Sequence, residues 1–470
     1  MGHKQNMTMR TEHDFLGPAQ IGDDCYYGVH TWRACDNFGD GGRRHDPLFL
    51  RAYLQVKKAA ALANRELGYL DPERAGHIVA AIDFLIDRGG WADFPVNPLC
   101  GGAGTSLNMN VNEVIANYAL ERAGRPKGDY GWIHPLRDVN LHQSTNDTYP
   151  TALKVAVLAY LERLEGELTG LQQALQEKER AFADVLRLGR TELQDGLPMT
   201  AGMQFSAWAE AVGRDRWRIF KARERIKIVN LGGTAIGTGF GAPQKYIFTV
   251  IEKLRAVTGL SVARAENLID ATQNLDSLVE VSGLLKALAV NLLKISEDLR
   301  LLSSGPSGGL AEIILPPVQE GSSIMPGKVN PVILEFVSQA ALLAMGNDGV
   351  IAHAAGMGNL ELNQFYPLVA TLLLENLRSL ELAAGRLAAK AVAGLELNRD
   401  RVGRNLSDSI AVATYLAQHI GHEQAALLYR RHLETGLPLR RVIAESGILP
   451  DEDFDRLLSP ENIRMTGIKK

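Results

Sequence analysis

The chain has 470 residues, of which 46% are hydrophobic and 22% charged, with a formal net charge of −4. That length allows roughly three domains, and the balance is that of a globular protein with a substantial core rather than a disordered or fibrous one. The charge gives no footprint for nucleic acid or an anionic membrane, and the odd, scattered set Cys25, Cys35 and Cys100 argues against a disulfide framework or a Cys-x-x-Cys metal site.

In chain order, residues 1–15 are polar and lack the apolar run of a secretory signal. Nowhere is there a stretch of about 18 uninterrupted apolar residues, so no membrane span is expected and a reducing cytoplasm is the expected setting. Residues 46–67 and 72–87 carry helical patterns, and residues 100–117 leave a glycine-rich loop to enter a helix. From 151 to 187 the chain runs without proline. Leu153, Val157, Leu161, Leu164, Leu168, Leu171 and Leu175 recur there at the helical period. Such a helix would be roughly 55 Å long at its 1.5 Å rise per residue. Further long helices are predicted over 203–230, 272–303, 331–345 and 359–392. The stretch 275–302 is apolar on nearly every face, and such a helix must be covered by others. The predicted fold is therefore all-α, with a central long-helix bundle whose exposed faces call for oligomerisation. Three parts are expected: a mixed, mostly helical domain over 1–142, the bundle over 143–397 and a small helical domain over 398–470, with a turn at 447–450 and a solvated Lys469-Lys470 end.

Two motifs are rejected. Residues 226–242 (IKIVNLGGTAIGTGFGA) offer Gly237-x-Gly239-x-x-Ala242, but without the alternating strands and helices that a dinucleotide fingerprint needs; a turn between helices is the better reading. Residues 321–328 (GSSIMPGK) place five residues between the glycines rather than four, and Val329 stands where a phosphate loop has Ser or Thr. The histidines form no metal spacing, so neither metal nor cofactor is expected.

Four polar segments interrupt the helical sequence: 101–112 (GGAGTSLNMNVN), 143–151 (QSTNDTYPT), 189–200 (GRTELQDGLPMT) and 321–331 (GSSIMPGKVNP). Hydroxyls, amides and backbone N–H groups donate hydrogen bonds without adding charge, and with one lysine they suit a small ligand carrying carboxylates. Taken alone, Ser144-Thr145-Asn146 is also a good helix N-cap. The fourth segment is harder to explain by capping. Its Gly/Pro frame and two serines make a loop, and Lys328 lies just ahead of the positive end of the next helix, a place for an anion.

The 321–331 segment resembles the signature of the aspartase/fumarase superfamily, and the other three resemble that superfamily's companion regions in the same order. The similarity extends from Tyr26-Tyr27-Gly28-Val29-His30 to Ile420-Gly421-His422. GGAGTS at 101–106 and SSIMPGKVNPV at 322–332 resemble the ammonia-lyase branch; fumarases typically carry Thr-Gln where this chain has Thr105-Ser106, and Ser-Ser-Asn-Asp where it has Ser144-Thr145-Asn146-Asp147. The resemblance implies a three-domain helical subunit in a homotetramer, without cofactor, that eliminates ammonia from aspartate to give fumarate. Ser322 would be the base, assisted by the Ile324 and Met325 N–H groups and by Lys328. Thr105, Ser144, Thr145, Thr191 and Ser323 would surround the β-carboxylate, Lys328 and Asn330 would hold the α-carboxylate, and Asn146 the amino group. Glu192 departs from the His or Gln of many relatives; with Glu335 behind it, the two carboxyls could share a proton, or Glu192 could point away. His142 also departs and is read as a satisfied helix-end histidine. The alternatives are fumarate hydration, ammonia elimination from another substituted succinate, and a non-catalytic relative on the same scaffold.

Overall fold

A computed structural model describes residues 8–39, 41–407 and 409–465; Lys469-Lys470 lies outside them. The chain forms two compact units. The first holds the described residues up to Arg163 with Arg218–Lys286 and Leu343–Ser379, and the second holds Leu164–Trp217, Ala287–Leu342 and the described residues from Leu380 onward.

Five helices, Thr145–Ala181, Ala201–Ile226, Asp276–Leu302, Val332–Gly356 and Tyr366–Arg386, are 37, 26, 27, 25 and 21 residues long, far above the globular mean of about 12. Each contains one of the points at which the chain passes from one unit to the other. In the longest, the apolar residues from Leu153 to Leu175 that set the helical period are all buried. It has the expected length but starts at Thr145, so that Pro150 lies inside it. Proline lacks the N–H that would bond the carbonyl four residues back, and the Asn146 carbonyl so released accepts from Asn230 Nδ2 at 2.9 Å instead. The helix ends at Ala181 rather than near 187 because Leu186–Thr191 turns into a strand paired with Gln194–Thr200.

Elsewhere the differences are also local. The helix expected over 331–345 runs on to Gly356, past Gly346 and Gly349, where polar contacts hold it: Asn347 Nδ2 donates to Asn376 Oδ1 at 2.8 Å and Ser282 Oγ to Asp348 Oδ1 at 2.7 Å. The run over 272–303 is divided into Leu268–Gln273 and Asp276–Leu302, and that over 359–392 begins only at Tyr366. Among the described residues strands are confined to four two-stranded pieces, so the class remains all-helical in substance.

In the first unit, Pro47–Glu66 starts at Asp46, whose carboxylate caps the Leu48 and Phe49 N–H groups, with Pro47 at the first helical position. It packs on Gln244–Thr258 and on Pro72–Arg88, which in turn packs on Thr105–Arg122. The rejected dinucleotide motif is a turn here. Its Gly232 and Thr234 N–H groups do cradle an anion, but it is the buried carboxylate of Asp147, at 3.1 Å each. In the second unit, the C-terminal helices gather Leu406, Val412, Leu416, Leu439, Val442 and Phe454 around Leu188 of the Leu186–Thr191 strand. Among the described residues no helix is long and apolar enough to cross a membrane.

Candidate active site

The first two polar segments meet in the first unit. Gly102, Ala103 and Gly104 take φ of +86°, +55° and +93° to deliver the chain into Thr105–Arg122. At Gly104 a Cβ would lie 2.2 Å from Tyr149 Cδ2, so glycine is required on both conformational and steric grounds. Thr105 is thereby left exposed at a helix N-terminus. Thr145–Ala181 opens with a reciprocal cap: Ser144 Oγ accepts from Asn146 N at 3.2 Å, and Asp147 Oδ1 accepts from Ser144 N at 3.0 Å. The capping reading of Ser144 therefore has a geometric basis alongside any ligand contact. Asn146 Nδ2 donates to the Ala235 carbonyl at 2.7 Å. Asn108 Nδ2 donates to Thr145 Oγ1 at 3.0 Å and joins the two segments.

Beneath them lies a residue that the segment-by-segment reading missed. Lys57 is fully buried, and its ammonium donates to Asn108 Oδ1, Asn140 Oδ1 and Gln143 Oε1 at 2.7, 2.8 and 3.0 Å. Burial pushes its pKa down, and the charge of Asp147 pulls it back up. A signal existed: Lys57 falls in phase with Tyr53, Leu54, Ala60, Ala61 and Asn64, on the stripe of Pro47–Glu66 that the core covers. His142 is satisfied as expected. Its Nδ1 meets Asn64 Oδ1 at 2.8 Å, Tyr69 stacks edge-on at 5.1 Å, and burial lowers its pKa.

The other two segments belong to the second unit. Thr191 pairs with Gln194, which makes Glu192 and Leu193 the two-residue tip of a hairpin, with φ of +52° and +63°. Positive φ at both central residues is the type I′ pattern, usually filled by Asn-Gly. Thr191 and Glu192 are exposed. The strand below is anchored by Glu312, which accepts from Arg187, Arg190 and Asn405 at 3.2, 2.5 and 2.9 Å. Burial alone would raise the Glu312 pKa, but the hydrogen bonds from Arg190 and Asn405 and the charges of both arginines lower it.

The 321–331 loop is closed by Gly321 N donating to the Lys328 carbonyl at 2.8 Å and Asn330 Nδ2 to the Gly321 carbonyl at 2.7 Å. Inside it, the Ile324 and Met325 N–H groups donate to Ser322 Oγ at 3.2 and 2.9 Å. The loop curls round a cavity of about 290 Å³ lined by Glu320, Ser322 and the residues through Lys328. Ser323 and Lys328 are exposed, and the Lys328 ammonium makes no hydrogen bond or ion pair with the described residues. Asn330, expected at the α-carboxylate, has one Nδ2 hydrogen engaged in closing the loop. Glu335 sits in the first turn of Val332–Gly356; among the described residues it shares no hydrogen bond with Glu192. A serine oxygen that already accepts two backbone N–H groups, with a lysine six residues on, can carry negative charge and take a proton.

Comparison with known proteins gives the family. A family model described as "Lyase" matches residues 17–346, and one described as "Fumarase C C-terminus" matches residues 412–466. Aspartate ammonia-lyases from Helicobacter pylori strain J99, Corynebacterium glutamicum and Escherichia coli K12 are 44%, 45% and 42% identical to it. Each alignment covers 97% of this chain and, respectively, 98%, 87% and 96% of the relative. Among solved structures, a fumarate lyase:delta crystallin from Brucella melitensis matches with a TM-score of 0.90 at 43% identity. A class II fumarase from Schistosoma mansoni matches with 0.89 at 31%, and each covers 97% of this chain and 99% of the other. The chain belongs to this lyase family, the aspartase/fumarase superfamily to which its 321–331 segment pointed.

Proposed function

We propose that the protein is a carbon–nitrogen lyase that reversibly eliminates ammonia from L-aspartate to give fumarate. The observation that carries the chemistry is Ser322, whose Oγ accepts from the Ile324 and Met325 N–H groups. In its ionised form Ser322 takes the proton from the carbon beside the β-carboxylate. The electron pair moves into that carboxylate as an aci-carboxylate, then returns to form the double bond as ammonia leaves. Thr105, Ser144, Thr145, Thr191 and Ser323 supply hydrogen bonds where the extra charge develops, and fixed donors of this kind do most to lower such a barrier. Lys328 and Asn330 hold the α-carboxylate, and Oδ1 of Asn146 receives the ammonium.

The working form is a homotetramer in whose sites three protomers combine their segments, each protomer divided at 1–142, 143–397 and 398–470. An apolar stripe supports association: on Val332–Gly356, Leu342, Leu343 and Val350 are 56%, 40% and 45% exposed in one chain. The thiols of Cys25 and Cys100 support a reducing cytoplasm.

The test is to mix purified protein with fumarate and ammonium, follow the loss of fumarate absorbance and identify the product. Aspartate formed only with ammonium is the expected result. Malate without ammonium would reassign the protein to hydration, and no conversion to the non-catalytic relatives on this scaffold.

A further inference from the structure

Lys57, Asn108 and Thr145 form a chain of hydrogen bonds whose direction is fixed from the buried end. An ammonium has three hydrogens to give and nothing with which to accept. Lys57 gives one to each of Asn108 Oδ1, Asn140 Oδ1 and Gln143 Oε1, so all three amides must point their oxygens inward. Asn108 then has its two Nδ2 hydrogens facing away from Lys57, directed at Thr145 Oγ1 at 3.0 Å and at Asn140 Oδ1 at 3.3 Å. Asn140 and Gln143 cannot turn over to compensate. Asn140 Nδ2 donates to the Gln143 carbonyl, and Gln143 Nε2 donates to the Val139 and Leu141 carbonyls. Thr145 Oγ1 is therefore an acceptor toward the interior, and its own hydroxyl hydrogen is left to point elsewhere.

We infer that Lys57 is a positioning residue for the reaction: through Asn108 it orients the Thr145 hydroxyl so that its hydrogen is offered to the substrate carboxylate rather than to the protein. This rests on the lyase reading, in which Thr145 donates to the β-carboxylate. A threonine hydroxyl rotates freely and would otherwise populate states in which it accepts. Removing that freedom before the substrate arrives is preorganisation, and its benefit appears where charge develops in the transition state. The arrangement also explains a lysine held in the core 51 residues before its amide partner in sequence. Burying an ammonium is costly unless every hydrogen is matched, and here each one is.

The experiment is a double-mutant cycle on fumarate amination, with calorimetric binding of succinate as an unreactive dicarboxylate. Thr145→Val should lower kcat by roughly 10²-fold, the usual loss for one such donor, with a smaller change in KM. Lys57→Met should lower kcat in the same direction, and the double variant should fall no further than Thr145→Val within about threefold, because both changes remove one interaction. Should Lys57→Met fail to fold, Asn108→Asp carries the test. A carboxylate there keeps a partner for Lys57 but accepts from the Thr145 hydroxyl, so kcat should fall to the Thr145→Val level with the melting midpoint within a few degrees of wild type. Losses that multiply in the double variant, or an Asn108→Asp enzyme with kcat within about threefold of wild type, would overturn the relay. A wild-type protein that does not aminate fumarate would overturn the lyase reading and the relay with it.

Discussion

Around Thr145 the polar groups are matched to one another before any ligand arrives, whereas the 321–331 loop leaves Ser323 and Lys328 facing solvent. In the first unit, Lys57, Asn108, Asn140, Gln143 and Thr145 are linked by hydrogen bonds of 2.7 to 3.3 Å, and Lys57 and Asn108 are buried. In the second, Ser323 and Lys328 are exposed, and the loop is held mainly by the Gly321–Lys328 and Gly321–Asn330 bonds. Under the lyase proposal the difference separates two tasks. A surface that must recognise developing charge benefits from groups that need not reorient, while a base that must admit substrate and then exclude water benefits from a segment with few ties to the core.

The largest effect should come from the loop. Ser322→Ala should lower kcat by about 10²–10⁴-fold, the range for losing a proton-transfer group, while succinate binding measured by calorimetry stays within a few-fold. Near-normal turnover would remove Ser322 as the base and with it the distinction between the two regions. Next is a stability effect on the preorganised side. Gly104→Ala places a methyl against the buried Tyr149 ring at a φ of +93°. Strain and overpacking together should cost about 2–4 kcal/mol in denaturant unfolding; a loss below about 1 kcal/mol would mean that the Gly102–Thr105 turn adapts easily and the region is not rigid. Smaller again, Lys328→Met should raise KM for aspartate about 10- to 100-fold, the worth of a hydrogen bond to a charged group, and should leave the melting midpoint unchanged because Lys328 has no partner within the described residues. A drop in the midpoint would show that the loop is held more firmly than its hydrogen bonds suggest.

What could be read in the sequence and what could not follows from the range of each signal. Apolar periodicity is a local property, and it located the long helices because each buries a stripe that repeats every three or four residues. Their ends depend on distant partners. The Ser144 cap marks a helix start locally, but no local rule allows Pro150 in the second turn, because the group that relieves the lost bond is Asn230. The polar segments stood out because Gly, Ser, Thr and Asn do not belong in a long-helix pattern, and the structure joins the first two through Asn108 and Thr145. Lys57 escaped because its meaning lies in Asn108, Asn140 and Gln143, 51, 83 and 86 residues away. One local trace remained, a charged residue in phase with a buried stripe, where burial without partners would be prohibitive.

The hairpin tip of the second unit shares a feature of each region, and the smallest predicted effect concerns it. Leu193 holds a left-handed conformation at φ +63° with a side chain 69% exposed, so within one chain it bears backbone strain with little burial in return. If the strain is uncompensated, Leu193→Gly should raise stability by about 1 kcal/mol, the cost of a left-handed non-glycine residue, with turnover unchanged. If Leu193 is retained because a second protomer covers it, the same change should lower the fraction of tetramer in sedimentation velocity at low protein concentration, and turnover should fall with it. The expected outcome under the tetramer proposal is the second. Thr191 and Glu192 would then be positioned by contact between protomers, and the exposed half of the site would acquire its order on assembly, as the Thr145 half acquires its own from Lys57.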